Sequence, residues 1–192
     1  MKLEDLLKER SGNVCELSGE KDNLVVYEVP PINNGAASAI LISEKCFNQI
    51  EKKEELDSAL WERFLPTSMW SEVPVVQVMA WRILSRLRNE SWAADALDMI
   101  YLEDDNLEWA KAMGDHLGDG STELHKDVNG NILQNGDTVT LIKDLDVKGS
   151  TINAKMGTAV RNIRLVHDNI EQVEGKIDGQ MIVVLTKFVK RQ

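Results

Sequence analysis

Asn135-Gly136-Asp137-Thr138-Val139-Thr140-Leu141-Ile142 decides the fold of the C-terminal third of this chain. An Asn-Gly turn dipeptide runs straight into a β-branched stretch, which is how a short strand leaves a tight turn. Upstream, Asn129-Gly130 marks a second turn. Downstream, Ala159 to Val166 reads as another strand. Asp178-Gly179 then reads as a two-residue hairpin of type I′, with Val173, Gly175 and Ile177 before it and Met181, Val183 and Leu185 after it. Roughly four or five short strands without helical period fit a small closed or partly open barrel.

Working back towards the N-terminus, Gly114-Asp115-His116-Leu117-Gly118-Asp119-Gly120-Ser121 carries three glycines and reads as a linker. Before it, from Phe47 to about Leu117, the period is helical. Val75, Val78, Met79, Ile83 and Leu87, with Trp81 and Leu84 beside them, make a helix apolar around much of its circumference, and therefore buried on more than one side. Trp92, Ala96 and Met99 continue the pattern, and Asp105 with Glu108 resembles a capping box for a last helix carrying Trp109, Ala112 and Met113. All five tryptophans, Trp61, Trp70, Trp81, Trp92 and Trp109, fall in this block, where core packing is the expected role. Residues 3–10 form a short amphipathic helix with Leu3, Leu6 and Leu7 on one face, broken by Ser11-Gly12-Asn13. Leu24 to Val29 is a strand ended by Pro30-Pro31, and Ala39 to Ile42 is a second apolar run. The expected fold class is α+β, divided into residues 1–118 and 119–192.

Charge divides the chain in a similar way. The net charge is −10, but residues 1–122 hold 12 Lys/Arg against 23 Asp/Glu, while residues 123–192 hold 10 against 9. An acidic body repels phosphate backbones, which disfavours nucleic acid as its partner. No apolar run is long enough to span a bilayer. The first residues, acidic and without an apolar core, do not read as a signal peptide, so a cytoplasmic protein with no membrane partner is expected. Two cysteines are too few for a disulfide framework, and His116, His125 and His167 have no metal-ligand spacing.

Val128 to Leu133, Asn135 to Leu145, Val147-Lys148-Gly149, Gly157-Thr158, Asn162 to Val166, Lys176 to Gly179 and Phe188-Val189-Lys190 closely resemble the PhnA family, also called alkylphosphonate-utilisation-operon proteins. The resemblance covers most of residues 123–192 and implies an SH3-like barrel there, usually preceded by a zinc ribbon. The upstream region resembles the longer members of the family, in which Cys-x-x-Cys precedes a β-hairpin and a second Cys-x-x-Cys opens a helix. Here the two knuckles read Cys15-Glu16-Leu17-Ser18 and Ser43-Glu44-Lys45-Cys46, with one cysteine of each pair replaced by serine. Structural zinc wants four thiolate or imidazole ligands, and a serine that keeps its proton at neutral pH is a poor substitute. The ribbon is therefore expected to be degenerate. No cofactor is expected; buried thiols, a Cys15–Cys46 disulfide and residual zinc remain as alternatives. The same opening followed by a histidine-bearing strand looks like an HNH nuclease, but Val26-Tyr27-Glu28-Val29 has no histidine to serve as base or ligand.

Carbon–phosphorus cleavage needs a metal cluster, an activated nucleophile or a radical cofactor, and no residue pattern here supplies one. The expected function is non-enzymatic binding through the C-terminal barrel. The partner would be a protein or a small anion, and the alternatives are an enzyme of organophosphorus metabolism and a weak nucleic-acid binder. The candidate binding residues are Lys143, Asp144 and Lys148 after the first long strand, with Arg161 and Arg164 beyond them and Lys155 between. Cys15, Ser18, Ser43 and Cys46 are the remnant knuckle positions. No catalytic residue is assigned.

Overall fold

The computed structural model describes residues 2–117, 119–146, 153–166 and 169–192. It is a mixed α+β structure in two compact units, Met1–Thr122 and Glu123–Gln192.

The first unit begins with α1 (Leu3–Ser11), which ends where Gly12 turns left-handed at φ 67° and returns its N–H to Lys8. Strands β1 (Leu24–Glu28) and β2 (Ala39–Ser43) pair antiparallel. Every residue of β2 is buried, because the strand is covered on both faces. Ala39 and Leu41 pack with Leu7 of α1, while Ile40 and Ile42 join the main core. That core is built by α2 (Glu44–Ile50), α3 (Ser58–Ser68), α4 (Pro74–Arg86), α5 (Ser91–Met99) and α6 (Asp104–Lys111). Its largest sealed side chains include Trp61, Leu65, Met69, Ile83 and Leu84, each contributing about 1.5–3 kcal/mol by burial. α4 is the central helix, as its all-round apolar character predicts.

Two local expectations are corrected. Glu103, not Asp105, holds the N-cap position of α6, and no side chain caps it. Trp70 is 58% exposed, so it does not belong to the core, whereas Trp61 is sealed. Trp70 sits just past the end of α3, where the helical face no longer dictates burial.

Three arginines fasten the first unit by donating to main-chain carbonyls. Arg82 is buried and reaches the carbonyls of Pro30, Trp109 and Ala110. The last two lie in the final turn of α6, where Trp109 also accepts the Ala112 N–H and Ala110 depends on the guanidinium, so Arg82 caps that helix from the side. Arg86 does the same for Gln49 and Ile50 at the end of α2. Arg10 forks onto Glu16 with both contacts at 2.7 Å and also donates to the carbonyls of Ala36 and Ala39. Glu16 in turn accepts the Leu41 N–H, tying the first knuckle segment to β2.

The second unit is antiparallel. Strands β3 (Val139–Leu141), β6 (Ala159–Leu165), β7 (Gln172–Ile177), β8 (Gln180–Leu185) and β9 (Val189–Arg191) form one sheet in the order β8-β7-β6-β3-β9. Between β3 and β6, β4 (Leu145–Asp146) pairs with β5 (Asn153–Ala154) as a small separate ladder. A single 3-10 turn, Thr186–Phe188, links β8 to β9. Among the described residues no pairing joins β8 to β9, so the sheet is not a closed ring. Asp178 and Gly179 both have positive φ, as a type I′ hairpin requires. Leu133, Val139, Leu141, Val160, Ile163, Val173, Ile182 and Val184 make the core.

Candidate functional site

The two knuckles converge. Cys15 follows a bend whose backbone closes through Cys15 N–H to Glu20 and Gly19 N–H to Cys15. This folds Ser18 back so that its N–H donates to Cys15 Sγ at 3.3 Å. On the other side of the hairpin, Ser43 ends β2 and is the N-cap of α2, its hydroxyl accepting the Cys46 N–H at 3.4 Å. Serine is a favoured N-cap residue, so its hydroxyl fixes the start of this helix. Cys15 Sγ and Cys46 Sγ lie 3.9 Å apart as free thiols, and all four residues are at most 3% exposed. The Cys46 thiol, opposed by burial and helped by Ser18 and the Ser43 backbone, draws the Cys15 pKa below the ordinary thiol range. The same contact, together with burial, pushes Cys46 up. At most one of the pair ionises at neutral pH.

This donor set does not fit structural zinc. Only two sulfurs are present, the Ser43 oxygen is committed to capping, and Ser18 Oγ points to the Glu20 carboxylate at 3.3 Å. Beside the quartet, an open depression of about 520 Å³ has Ser43 in its wall and a mostly acidic rim.

The C-terminal candidates separate into two groups. Lys143 Nζ sits 3.6 Å from the centre of the Phe188 ring, and Asp144 accepts the Met156 N–H at 2.7 Å across its loop. Both are thus engaged within the unit. Lys148 lies outside the described residues. Arg161 and Arg164 lie on β6, within the stretch from Ala159 to Val166 that reads as a strand. Asn162, left-handed at φ 52°, interrupts the register between them. Without that bulge two side chains three apart would point to opposite faces. With it, Val160 and Ile163 both face the core while Arg161 and Arg164 are both exposed. Across the ladder Arg161 pairs with Lys176 and then Met181, and Arg164 with Glu174 and then Val183. Lys176, Met181 and Val183, absent from the candidate set read from the sequence, complete this face. The broken alternation Val160-Arg161-Asn162-Ile163 was the signal that could have placed them together.

Within the second unit several polar residues in or beside the segments that carry the family resemblance serve as turn locks. Asp127 accepts the N–H groups of Asn129, Asn131 and Arg191. Burial opposes its charge, but these bonds and the Asn131 side chain outweigh it and hold the carboxyl below the usual range. Asn135 accepts the Leu165 N–H, and Asp137 accepts the Gln134 N–H and pairs with Arg191 at 3.0 Å.

The comparisons with known proteins agree with that picture. The family model described as YjdM, PhnA domain, matches residues 125–192. Protein YjdM of Escherichia coli strain K12 is 52% identical over 67 residues, which is 34% of this chain and 60% of that protein. Protein YjdM of Streptococcus mutans is 52% identical over 66 residues, covering 59% of its length. A YjdM homolog of Haemophilus influenzae is 44% identical over 66 residues, covering 51%. The chain therefore spans no more than 60% of the length of these curated relatives. The family model's match falls within the second unit, so residues 125–192 are similar to the PhnA domain.

Proposed function

We propose that this chain is a non-enzymatic binding protein of the cytoplasm, and that its C-terminal unit holds an acidic segment of a partner protein on the outer face of β6, β7 and β8. The reading takes that unit as an SH3-like barrel. The strand order, the β4–β5 ladder lying between β3 and β6 in the chain, and the 3-10 turn before β9 support it. It takes the first unit as a degenerate ribbon, supported by the two half-replaced knuckles flanking the β1–β2 hairpin.

The observation that carries the proposal is the placement of Arg161 directly opposite Lys176. Like charges facing each other across strands are destabilising, and neither enters an ion pair among the described residues. Arg164 adds a third cation, on β6, with Glu174 opposite it, and exposed Met181 and Val183 supply adjoining apolar surface. A carboxylate-bearing peptide relieves the first feature and covers the second. Among the described residues this face carries no aromatic ring on which bases could stack, which favours a peptide over a single-stranded nucleic acid.

The test is fluorescence anisotropy of a labelled glutamate-rich peptide with the full chain at low and physiological ionic strength. Binding is expected, weakened at least about tenfold by Arg161→Glu with Lys176→Glu, roughly 1.4 kcal/mol. Binding unchanged by the double reversal would overturn the proposal. So would tighter binding of an oligonucleotide of equal charge, or turnover of a phosphonate by pure protein.

A further inference from the structure

The dithiol of the first unit has a chemistry of its own. We propose that Cys15 and Cys46 form a two-coordinate site for a soft monovalent cation of the copper(I) class, reached through the acidic depression beside Ser43. Thiolate ligands select soft ions, and a closed-shell monovalent ion is satisfied by two sulfurs where zinc needs four donors. The two sulfurs meet at 3.9 Å with nothing else between them and water shut out. With metal–sulfur bonds of about 2.3 Å, as for zinc thiolates, that spacing already suits a bent S–metal–S unit, and a linear one needs about 0.7 Å of opening.

The surroundings favour a cation, and the acidic depression adjoins the dithiol at Ser43. Glu20, Asp22, Glu44 and Glu54 line the depression against Lys21 and Lys45, so its field attracts positive ions. Ser43 is at once part of its wall and the N-cap beside Cys46. Glu20 connects the depression to the quartet through its contact with Ser18. On binding, both thiols release their protons, the ion takes their place, and no electron moves. The product carries one net negative charge, and the Ser18 N–H already donates to Cys15 Sγ.

The experiment titrates the reduced full chain anaerobically against a chromogenic copper(I) chelator complex, with a zinc chelator assay in parallel. The expected result is withdrawal of one equivalent of copper(I), loss of that withdrawal in Cys15→Ser and in Cys46→Ser, and slower transfer in Glu44→Gln with Glu54→Gln. Retention of tryptophan fluorescence verifies that each variant is folded. A folded wild-type chain that leaves copper(I) on the chelator overturns the proposal whatever the variants do. Undiminished uptake by the cysteine variants overturns it too, as does stoichiometric uptake of zinc, or an intact mass short of two hydrogens under the same reducing conditions.

Discussion

The two units of this chain are held together by different kinds of residue, and the family model matches within the second. In the second unit the shape is dictated at turns. Asp127, Asn135 and Asp137 accept particular backbone N–H groups, and Gly130, Gly136 and Gly179 occupy left-handed positions. Few side chains can do those jobs, so the sequence is constrained letter by letter. In the first unit the shape is dictated by a packed helical core and by arginines reaching carbonyls far away in sequence, Arg82 to Pro30 being 52 residues apart. Core positions accept many apolar residues of similar volume, and a carbonyl accepts any well-placed donor.

The largest way to break this contrast is Arg82→Met. It leaves the buried Ala110 carbonyl without its donor and weakens the end of α6, while Trp109 keeps the Ala112 N–H and Pro30 keeps the Trp109 indole N–H. A loss of about 3–5 kcal/mol is expected. All tryptophans and both tyrosines lie in residues 1–122, so intrinsic fluorescence during urea unfolding reads this unit alone. Amide exchange in residues 123–192 should not change.

The converse change is Gly175→Ala. A methyl group there overlaps Cγ1 of Val160 and approaches Ile163, in a core too small to absorb it. A cost of about 2–3 kcal/mol is expected, visible as faster amide exchange in β6–β8 with the tryptophan transition unmoved.

Asp127→Ala sharpens the claim that turn locks carry the second unit. Three backbone donors lose their acceptor, for about 2 kcal/mol. Because the folded carboxyl is held below its ordinary value of 3.8, its contribution is complete above that pH and is lost as pH falls through the folded value. The wild-type unit should therefore loosen in acid by a component that the variant lacks, measurable by exchange at matched intrinsic rates.

The smallest effect separates stability from binding. Arg161→Glu converts a like-charge cross-strand pair with Lys176 into an opposite-charge one and should stabilise the second unit by a few tenths of a kcal/mol. The same variant should bind the acidic peptide less well. A residue kept at some cost to the fold is what a binding surface looks like.

Period and turn chemistry made the elements of both units legible in the sequence, including the buried strand β2, the central helix α4 and the Asp178-Gly179 hairpin. The pairing of Cys15-x-x-Ser18 with Ser43-x-x-Cys46 came from the resemblance to the longer family members, and the structure brings the two cysteines within 3.9 Å. What stayed hidden was whatever depends on a third dimension without a local mark. The cap at Glu103 involves no side chain, and the exposure of Trp70 follows from where α3 ends. The cationic face depends on one left-handed asparagine that turns Arg161 and Arg164 to the same side.

Chemical-shift mapping of the full chain with the glutamate-rich peptide tests the central claim most directly. The account predicts perturbations confined to Arg161, Arg164, Glu174, Lys176, Met181 and Val183 and their immediate neighbours on β6–β8. Perturbations centred on residues 1–122 or on the loop of Lys143 and Asp144, with this face silent, would contradict it.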